Sequence, residues 1–153
     1  MTDKPVLFST PMLDGLPDKA LSVRQPWAWA ILNAGKRIEN RPRRFHYRGP
    51  ICLHASAYEP RDIDIAGFNV TWAEAVPDIR ERSRQSAFAE LERGGIVGTA
   101  EIVGCVEQSD DPWFFGPYGL VLENVKPIEF IPVKGALGLF NWKRNIGKAE
   151  KAG

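Results

Sequence analysis

Two long apolar runs in the second half of the chain constrain the fold more than any other feature of the sequence. They are "GIVGTAEIVGCVEQ" (95–108) and "YGLVLENVKPIEFIPV" (118–133), and each is typical of a long β-strand. Gly98 and Gly104 interrupt the first run, and a glycine inside a strand commonly marks a bulge or a bend. The two runs therefore predict a curled sheet rather than a flat one.

The first half of the chain alternates short strands with a compact helix. "ALSVRQ" is predicted to be a strand, and Pro26 suits the first turn of the helix "PWAWAILNAG" because no N–H is needed there. Gly35 is the expected end of that helix. An extended segment, "KRIENRP", then runs to Pro42, and "PICLHAS" is predicted to be a further strand.

A polar helical insert is predicted between Glu59 and Arg93. Its two helices are "EPRDIDIAGF" and "DIRERSRQSAFAELERGG", with a break near Pro77. The segment "KGALGLFNW" is expected to close the domain. This order of elements predicts the α+β class, with a small mixed β-barrel, flanking helices and a helical insert, and it argues against a doubly wound α/β sheet.

The length of 153 residues is most simply explained by one domain with its own core. We expect an irregular N-terminal leader at 1–20, the domain at 21–143 and a basic frayed tail at 144–153. The leader has no apolar stretch of signal-peptide length, and no apolar run elsewhere is of the length that spans a membrane. These observations predict a cytoplasmic protein with no membrane partner.

The cysteines and histidines give no sign of a metal site. Cys52 and Cys105 are expected to be buried thiols rather than a disulfide, and neither belongs to a CxxC pair. His46 and His54 are the only histidines, and their spacing is not that of zinc ligands. The sequence therefore predicts neither a metal nor a cofactor.

A basic cluster contrasts with the nearly neutral chain, whose formal net charge is +1. Between residues 21 and 50 the only acid is Glu39, and the cations are Arg24, Lys36, Arg37, Arg41, Arg43, Arg44 and Arg48. This asymmetry favours a patch that contacts a polyanion, and phosphate contacts of that kind make binding salt-dependent. The alternative is a neutralised face, for which the candidate acids are Glu101, Glu107, Asp110 and Asp111.

The position of Glu39 permits two interpretations. If the extended segment alternates, Arg37, Glu39 and Arg41 share one face, and the carboxylate holds both guanidinium groups in place. Alternatively, Lys36 and Glu39 converge on a pocket. There the carboxylate accepts hydrogen bonds from a base edge or acts as a general base.

Several separated motifs resemble those of the ASCH domain, the module named for homology to activating signal cointegrator 1. The stretch "LSVRQPWAWAILNAGKRIENRPRRFHYRGPICLHASA" is similar to the opening of the domain. "GGIVGTAEIVGCVE" resembles its central strand, and "PVKGALGLFNW" resembles its closing segment. The resemblance spans residues 21–142. It implies a PUA-like small barrel with helices beside it and an open groove, proposed for the family as a nucleic-acid site, most often for RNA.

The resemblance also implies an enzymatic alternative. Some small ASCH-like proteins resemble amidohydrolases that deacylate a modified cytidine with a lysine, a threonine three positions later and a distant glutamate. Lys36 matches the lysine, but Glu39 occupies the threonine position, and Glu101 and Glu107 are only guesses for the glutamate. The missing hydroxyl weakens this interpretation. A nucleoside- or RNA-processing hydrolase, amidohydrolase- or ribonuclease-like, would have Lys36 and Glu39 as its catalytic residues.

The first hypothesis is a nucleic-acid-binding module that prefers RNA. Its groove is predicted to be lined by Arg24, Gln25, Trp27, Lys36, Glu39, Arg41 and Lys134. Trp27 is expected either to stack on a base or to pack in the core, and the aromatic loop around Trp113 either to cover the groove or to pack on the barrel. For His54, a hydrogen-bonded structural role is favoured over a position in the groove lining. A modified nucleoside is the ligand under the enzymatic hypothesis. A third hypothesis is a protein-interaction module whose basic face contacts an acidic partner.

Overall fold

A computed structural model describes residues 13–86 and 91–146. Most of the predicted leader and most of the predicted tail lie outside the described residues. The described strands are β1 (Lys19–Val23), β2 (Ile38–Arg41), β3 (Gly49–Ala55), β4 (Gly95–Val106), β5 (Tyr118–Pro132) and β6 (Leu139–Asn141). The described helices are α1 (Trp27–Asn33), α2 (Asp62–Ala75) and α3 (Ile79–Ser86), and a 3-10 turn spans Trp142–Asn145.

The strands form one mixed sheet in the order β2-β5-β4-β3-β1-β6. β1 and β3 run parallel, which requires a crossover connection, and α1 and β2 provide it. The pairing of β4 with β5 shifts register between Ile96 and Gly98 and between Ile102 and Gly104, as the glycine positions predicted. Sequence and structure therefore agree on an α+β fold with a curled sheet and flanking helices.

The curl brings the two ends of the strand order towards each other. β2 is one edge of the sheet, and β1 lies next to the opposite edge. The Arg41 guanidinium nevertheless donates a hydrogen bond from β2 to the backbone oxygen of Ser22 on β1, with Nη2 and O 2.6 Å apart. A flat six-stranded sheet would hold these strands far apart, since neighbouring strands are spaced about 4.8 Å.

β3 is buried on both faces. Ile51, Leu53 and Ala55 belong to the main core cluster, which includes the buried Ala28 and Ile31 of α1. On the opposite face, the buried Cys52 belongs to a second cluster with the fully buried Trp142 of the 3-10 turn. The Trp142 indole Nε1 donates to Pro17 O at 2.7 Å, so its polar atom is satisfied as well.

Helix α2 differs from its predicted extent because of a third, aromatic cluster. The prediction ended this helix at Phe68, but Trp72 also packs edge-on against Trp29 of α1, with 5.3 Å between ring centroids. Phe68 lies 5.6 Å from Trp113 in the same cluster. These long-range contacts stabilise further turns, and α2 continues to Ala75.

Helix α3 is shorter than predicted. The helix was expected to continue to Arg93, but residues 91–93 are not helical, and 87–90 lie outside the described residues. None of the described residues of α3 is buried, so burial in the core does not stabilise this segment. None of the helices in the described ranges is long and apolar enough to cross a membrane.

Both cysteines are free. Cys52 is buried, and its burial raises the pKa of the thiol to about 12. Cys52 is therefore a protonated packing residue at neutral pH rather than a nucleophile or a metal ligand.

Candidate functional site

An open groove of about 1210 Å³ lies between the curled sheet and helix α2. The end of β1 and the start of α1 contribute Ser22, Arg24 and Trp27, and β2 contributes Glu39 and Arg41. The remaining lining comes from His54 and the segment after β3, from α2, from Phe115 and from residues 134–138. Segments that are far apart in the sequence therefore share one cavity.

The structure brings together some of the predicted site residues and separates others. Those that line the groove are Arg24, Trp27, Glu39, Arg41 and Lys134. Gln25 and Lys36 do not line it. Both are buried, and both support residues that do.

Gln25 fixes the first turn of α1. Its side chain is almost fully buried, and its Oε1 accepts a hydrogen bond from the backbone N–H of Trp29 at 2.9 Å. This contact satisfies one of the donors that a helix start leaves free. Its Nε2 donates to the backbone oxygen of Glu92 at 2.8 Å. Gln25 thus orients the helix that carries Trp27.

Lys36 lies beneath Glu39 rather than in the groove. Gly35 adopts a positive φ of 71°, which turns the chain sharply after α1. The fully buried Lys36 then donates from Nζ to the backbone oxygen of Ile38 and to Glu39 Oε1, the latter at 2.9 Å. A buried ammonium group requires a paired charge, so Lys36 and Glu39 hold each other in place.

Glu39 is bound from two sides but remains open to the groove. Arg41 Nη2 donates to Glu39 Oε2 at 3.2 Å, and the Glu39 side chain is 12% exposed. Arg37, which was expected to share this carboxylate, donates instead to the backbone oxygens of Ile31 and Lys36. Arg41 Nε is buried and has no hydrogen-bond partner among the described residues.

The buried His54 and the partly buried Ser22 form a hydrogen-bonded pair in the groove lining. His54 Nε2 lies 2.7 Å from Val133 O, and Nδ1 lies 3.0 Å from Ser22 Oγ. Burial lowers the pKa of His54 below its usual value, and the imidazole is therefore neutral at neutral pH. The carbonyl can only accept, so Nε2 carries the proton, and the Ser22 hydroxyl donates to Nδ1.

Aromatic side chains line the groove beside the cations. The Arg24 guanidinium lies 3.9 Å from the centre of the Tyr58 ring. Phe115 is 67% exposed, while its neighbour Trp113 is buried against Phe68, so the aromatic loop both packs and lines the groove. The Asn40 amide holds this loop, because its Oδ1 accepts from Phe115 N at 2.8 Å.

The basic cluster of the sequence is dispersed in three dimensions. Arg24 and Arg41 are its members in the groove lining, while Lys36 is buried. Arg44 pairs with Glu107 at 3.0 Å, and Arg48 donates to nearby backbone oxygens. Glu107 is thus the one predicted covering acid with an ion pair to the cluster within the described ranges.

Sequence reasoning missed Ser22, Tyr58 and Gly67, all of which line the groove. Tyr58 follows the strand "PICLHAS", which in turn follows the basic cluster. An aromatic residue at such a position is a weak signal for a surface on which bases stack. Ser22 and Gly67 carry no local signal, because they acquire their position from β1–β3 pairing and from the packing of α2.

Comparison with known families agrees with this architecture. A family model described as the ASCH domain matches residues 21–134, which include the groove segments from β1 to Lys134. No curated protein matches the chain.

Proposed function

The chain belongs to the ASCH domain family, and from that premise we propose that its groove binds single-stranded RNA. ASCH domains have a PUA-like fold that is generally linked to RNA binding. The observation that carries the proposal is the groove itself, which combines cations, aromatic rings and one carboxylate, that of Glu39, in a single cavity.

The charge of the groove suits a polyanion. Arg24, Arg41 and Lys134 line it together with a single carboxylate, that of Glu39. Arg24 and Lys134 are solvent-exposed, so they are free to contact phosphate oxygens. Such contacts release counterions and contribute affinity that depends on salt but not on sequence.

The rings of the groove suit unpaired bases. Trp27 is partly buried against Phe68, Phe115 is exposed, and Tyr58 already lies against the Arg24 guanidinium. A base that stacks on an aromatic side chain contributes about 1–3 kcal/mol, and only an unpaired strand offers its bases in this way. The proposal therefore specifies a single strand rather than a duplex.

The size of the groove favours a strand over one small molecule. Pockets for small ligands usually enclose about 300–1,000 Å³. The groove is open and encloses about 1210 Å³. It therefore has room for a base with its flanking backbone.

The test is a titration of the protein with a short single-stranded RNA at a series of salt concentrations. With the two exposed groove cations, Arg24 and Lys134, at phosphates, the slope of log K against log salt should be about −1.4. Arg24→Ala and Lys134→Ala should each make that slope shallower by about 0.7. Arg80→Ala and Lys126→Ala are matched controls, because both side chains are exposed and outside the groove.

The same titrations separate the alternatives. Salt-independent binding, or controls that change the slope as much as the groove variants, would contradict the proposal. RNA product detected by mass would favour the hydrolase hypothesis, in which Glu39 is the accessible group because Lys36 is buried behind it. An acidic protein partner retained after nuclease treatment would favour the interaction module.

A further inference from the structure

The groove floor presents hydrogen-bond acceptors whose directions are fixed before any ligand arrives. They are the Glu39 carboxylate and the Ser22 hydroxyl oxygen. We propose, on the premise that the groove binds RNA as above, that it prefers guanine, whose N1–H and N2–H₂ groups donate to Glu39.

Glu39 retains the acceptor capacity that this contact needs. A carboxylate offers about four lone-pair sites. Lys36 Nζ occupies one on Oε1 at 2.9 Å, and Arg41 Nη2 occupies one on Oε2 at 3.2 Å. One site on each oxygen is left, and the carboxylate lines the groove. The two cations also restrict rotation of the carboxylate, which favours a two-point contact with a ligand over a single one.

The pattern of donors distinguishes guanine from the other bases. Guanine has two adjacent donors, N1–H and N2–H₂, on the Watson–Crick edge by which single-stranded RNA is read. Adenine and cytosine each place an amino donor beside a ring nitrogen acceptor, which would face a carboxylate oxygen without a proton between them. Uracil has one N3–H between two carbonyl acceptors. A fixed carboxylate therefore receives two hydrogen bonds only from guanine.

Ser22 adds a second acceptor with a fixed direction. Its hydroxyl proton is directed to His54 Nδ1, because His54 Nε2–H is bound to Val133 O. Oγ consequently presents only lone pairs to the groove, which suits the second N2 proton or a ribose 2′-hydroxyl. His54 is a positioning residue in this arrangement, since its 1% exposure leaves no surface for the ligand.

The experiment measures fluorescence anisotropy with labelled uridine octamers that carry one central base. With guanine at the centre, binding should be roughly 5- to 150-fold tighter than with uracil, the span expected for a good bidentate contact. Inosine lacks N2–H₂, and 1-methylguanine lacks N1–H, so each should lose most of that gain. Equal affinity for all four central bases would overturn the guanine preference. Failure of every octamer to bind at low salt would instead overturn the proposed RNA binding.

Two protein variants locate the preference. Glu39→Gln alone leaves the Lys36 charge unpaired and is at risk of unfolding, so Lys36→Met with Glu39→Gln removes both charges together. In the folded double variant the ratio of guanine to uracil affinity should fall to about one. A retained preference would remove Glu39 from recognition. Ser22→Ala should reduce the affinity for the guanine octamer while the circular dichroism spectrum is unchanged. An unaltered affinity would show that Ser22 does not take part in recognition.

Discussion

The floor and the rim of the groove are built on opposite principles. The floor consists of Glu39, Arg41, Ser22 and His54, with Lys36 beneath it, and these residues are linked by hydrogen bonds at or below 3.2 Å. On the rim, Phe115 is 67%, Val70 70% and Leu137 97% exposed. The floor is set before a ligand binds, whereas the rim offers apolar surface without specific partners.

This difference separates stability from binding. A buried polar network is costly to disrupt because each removed partner leaves another group unsatisfied. An exposed apolar side chain contributes little to the fold, since folding removes little of its surface from water. Substitutions on the floor should therefore lower the free energy of unfolding in addition to changing base preference, whereas substitutions on the rim should change affinity without a loss of stability.

The largest expected effect is that of Glu39→Ala on stability. The substitution leaves the Lys36 ammonium buried without its counter-charge, which should lower the free energy of unfolding by about 3 kcal/mol. Urea denaturation of both proteins measures the change. Glu107→Ala is the matched control, because its ion pair with Arg44 is exposed and should contribute less than about 1 kcal/mol. Equal losses of unfolding free energy in the two variants would mean that burial of the Lys36–Glu39 pair does not increase its contribution to stability.

The second effect concerns the rim and is on binding. A Cβ placed at Gly67 of α2 would meet nothing within 4 Å, and Gly67 lines the groove. Gly67→Leu should therefore fill the groove and weaken RNA binding by about tenfold, or about 1.4 kcal/mol. The free energy of unfolding should rise by up to about 1 kcal/mol, since glycine is unfavourable inside a helix.

Ala66→Leu is the control for this substitution. Ala66 is exposed on the same helix but does not line the groove, so its replacement should leave RNA affinity unchanged. If both leucine variants weakened binding equally, α2 would not be a wall of the binding site.

Local pattern predicted the class of the fold and the curl of the sheet, but it predicted neither the extents of α2 and α3 nor the composition of the site. Gly98 and Gly104 predicted register shifts in β4. A glycine alters the strand at its own position, and this effect can therefore be predicted from the local sequence. The basic cluster predicted one positively charged surface patch. In the structure, however, Arg44 forms an ion pair with Glu107, and Lys36 is buried. Proximity in sequence does not determine the direction or the depth of a side chain.

The groove depends on contacts between distant segments. Ser22 and His54 are 32 residues apart and meet through the parallel pairing of β1 with β3. Helix α2 becomes a wall because Phe68 packs against Trp29 and Trp113. These contacts have no periodic signature, and a single sequence therefore gave Glu39 and Arg41 but not Ser22 or Gly67.

The smallest expected effect is the contribution of His54 to the pH dependence of stability. Burial lowers the pKa of His54 in the folded protein below the ordinary value of 6.5. Below pH 6.5 the unfolded chain therefore binds a proton that the folded protein does not. The stability that the neutral histidine contributes is complete above pH 6.5 and is lost as pH falls, by at most about 1.4 kcal/mol per pH unit.

Urea denaturation between pH 7 and pH 5 tests this effect. The free energy of unfolding should fall over that range, and His54→Gln should flatten the curve. His46→Gln is the control, because His46 is exposed and should leave the slope in place. Lys143 and Arg61 hold the pKa values of Asp18 and Asp64, respectively, below 3.8. The stability that these two carboxylates contribute is therefore lost below the pH range of this experiment. A slope that persists in His54→Gln would mean that His54 does not cause the pH dependence, and the lowered pKa of its buried imidazole would be contradicted.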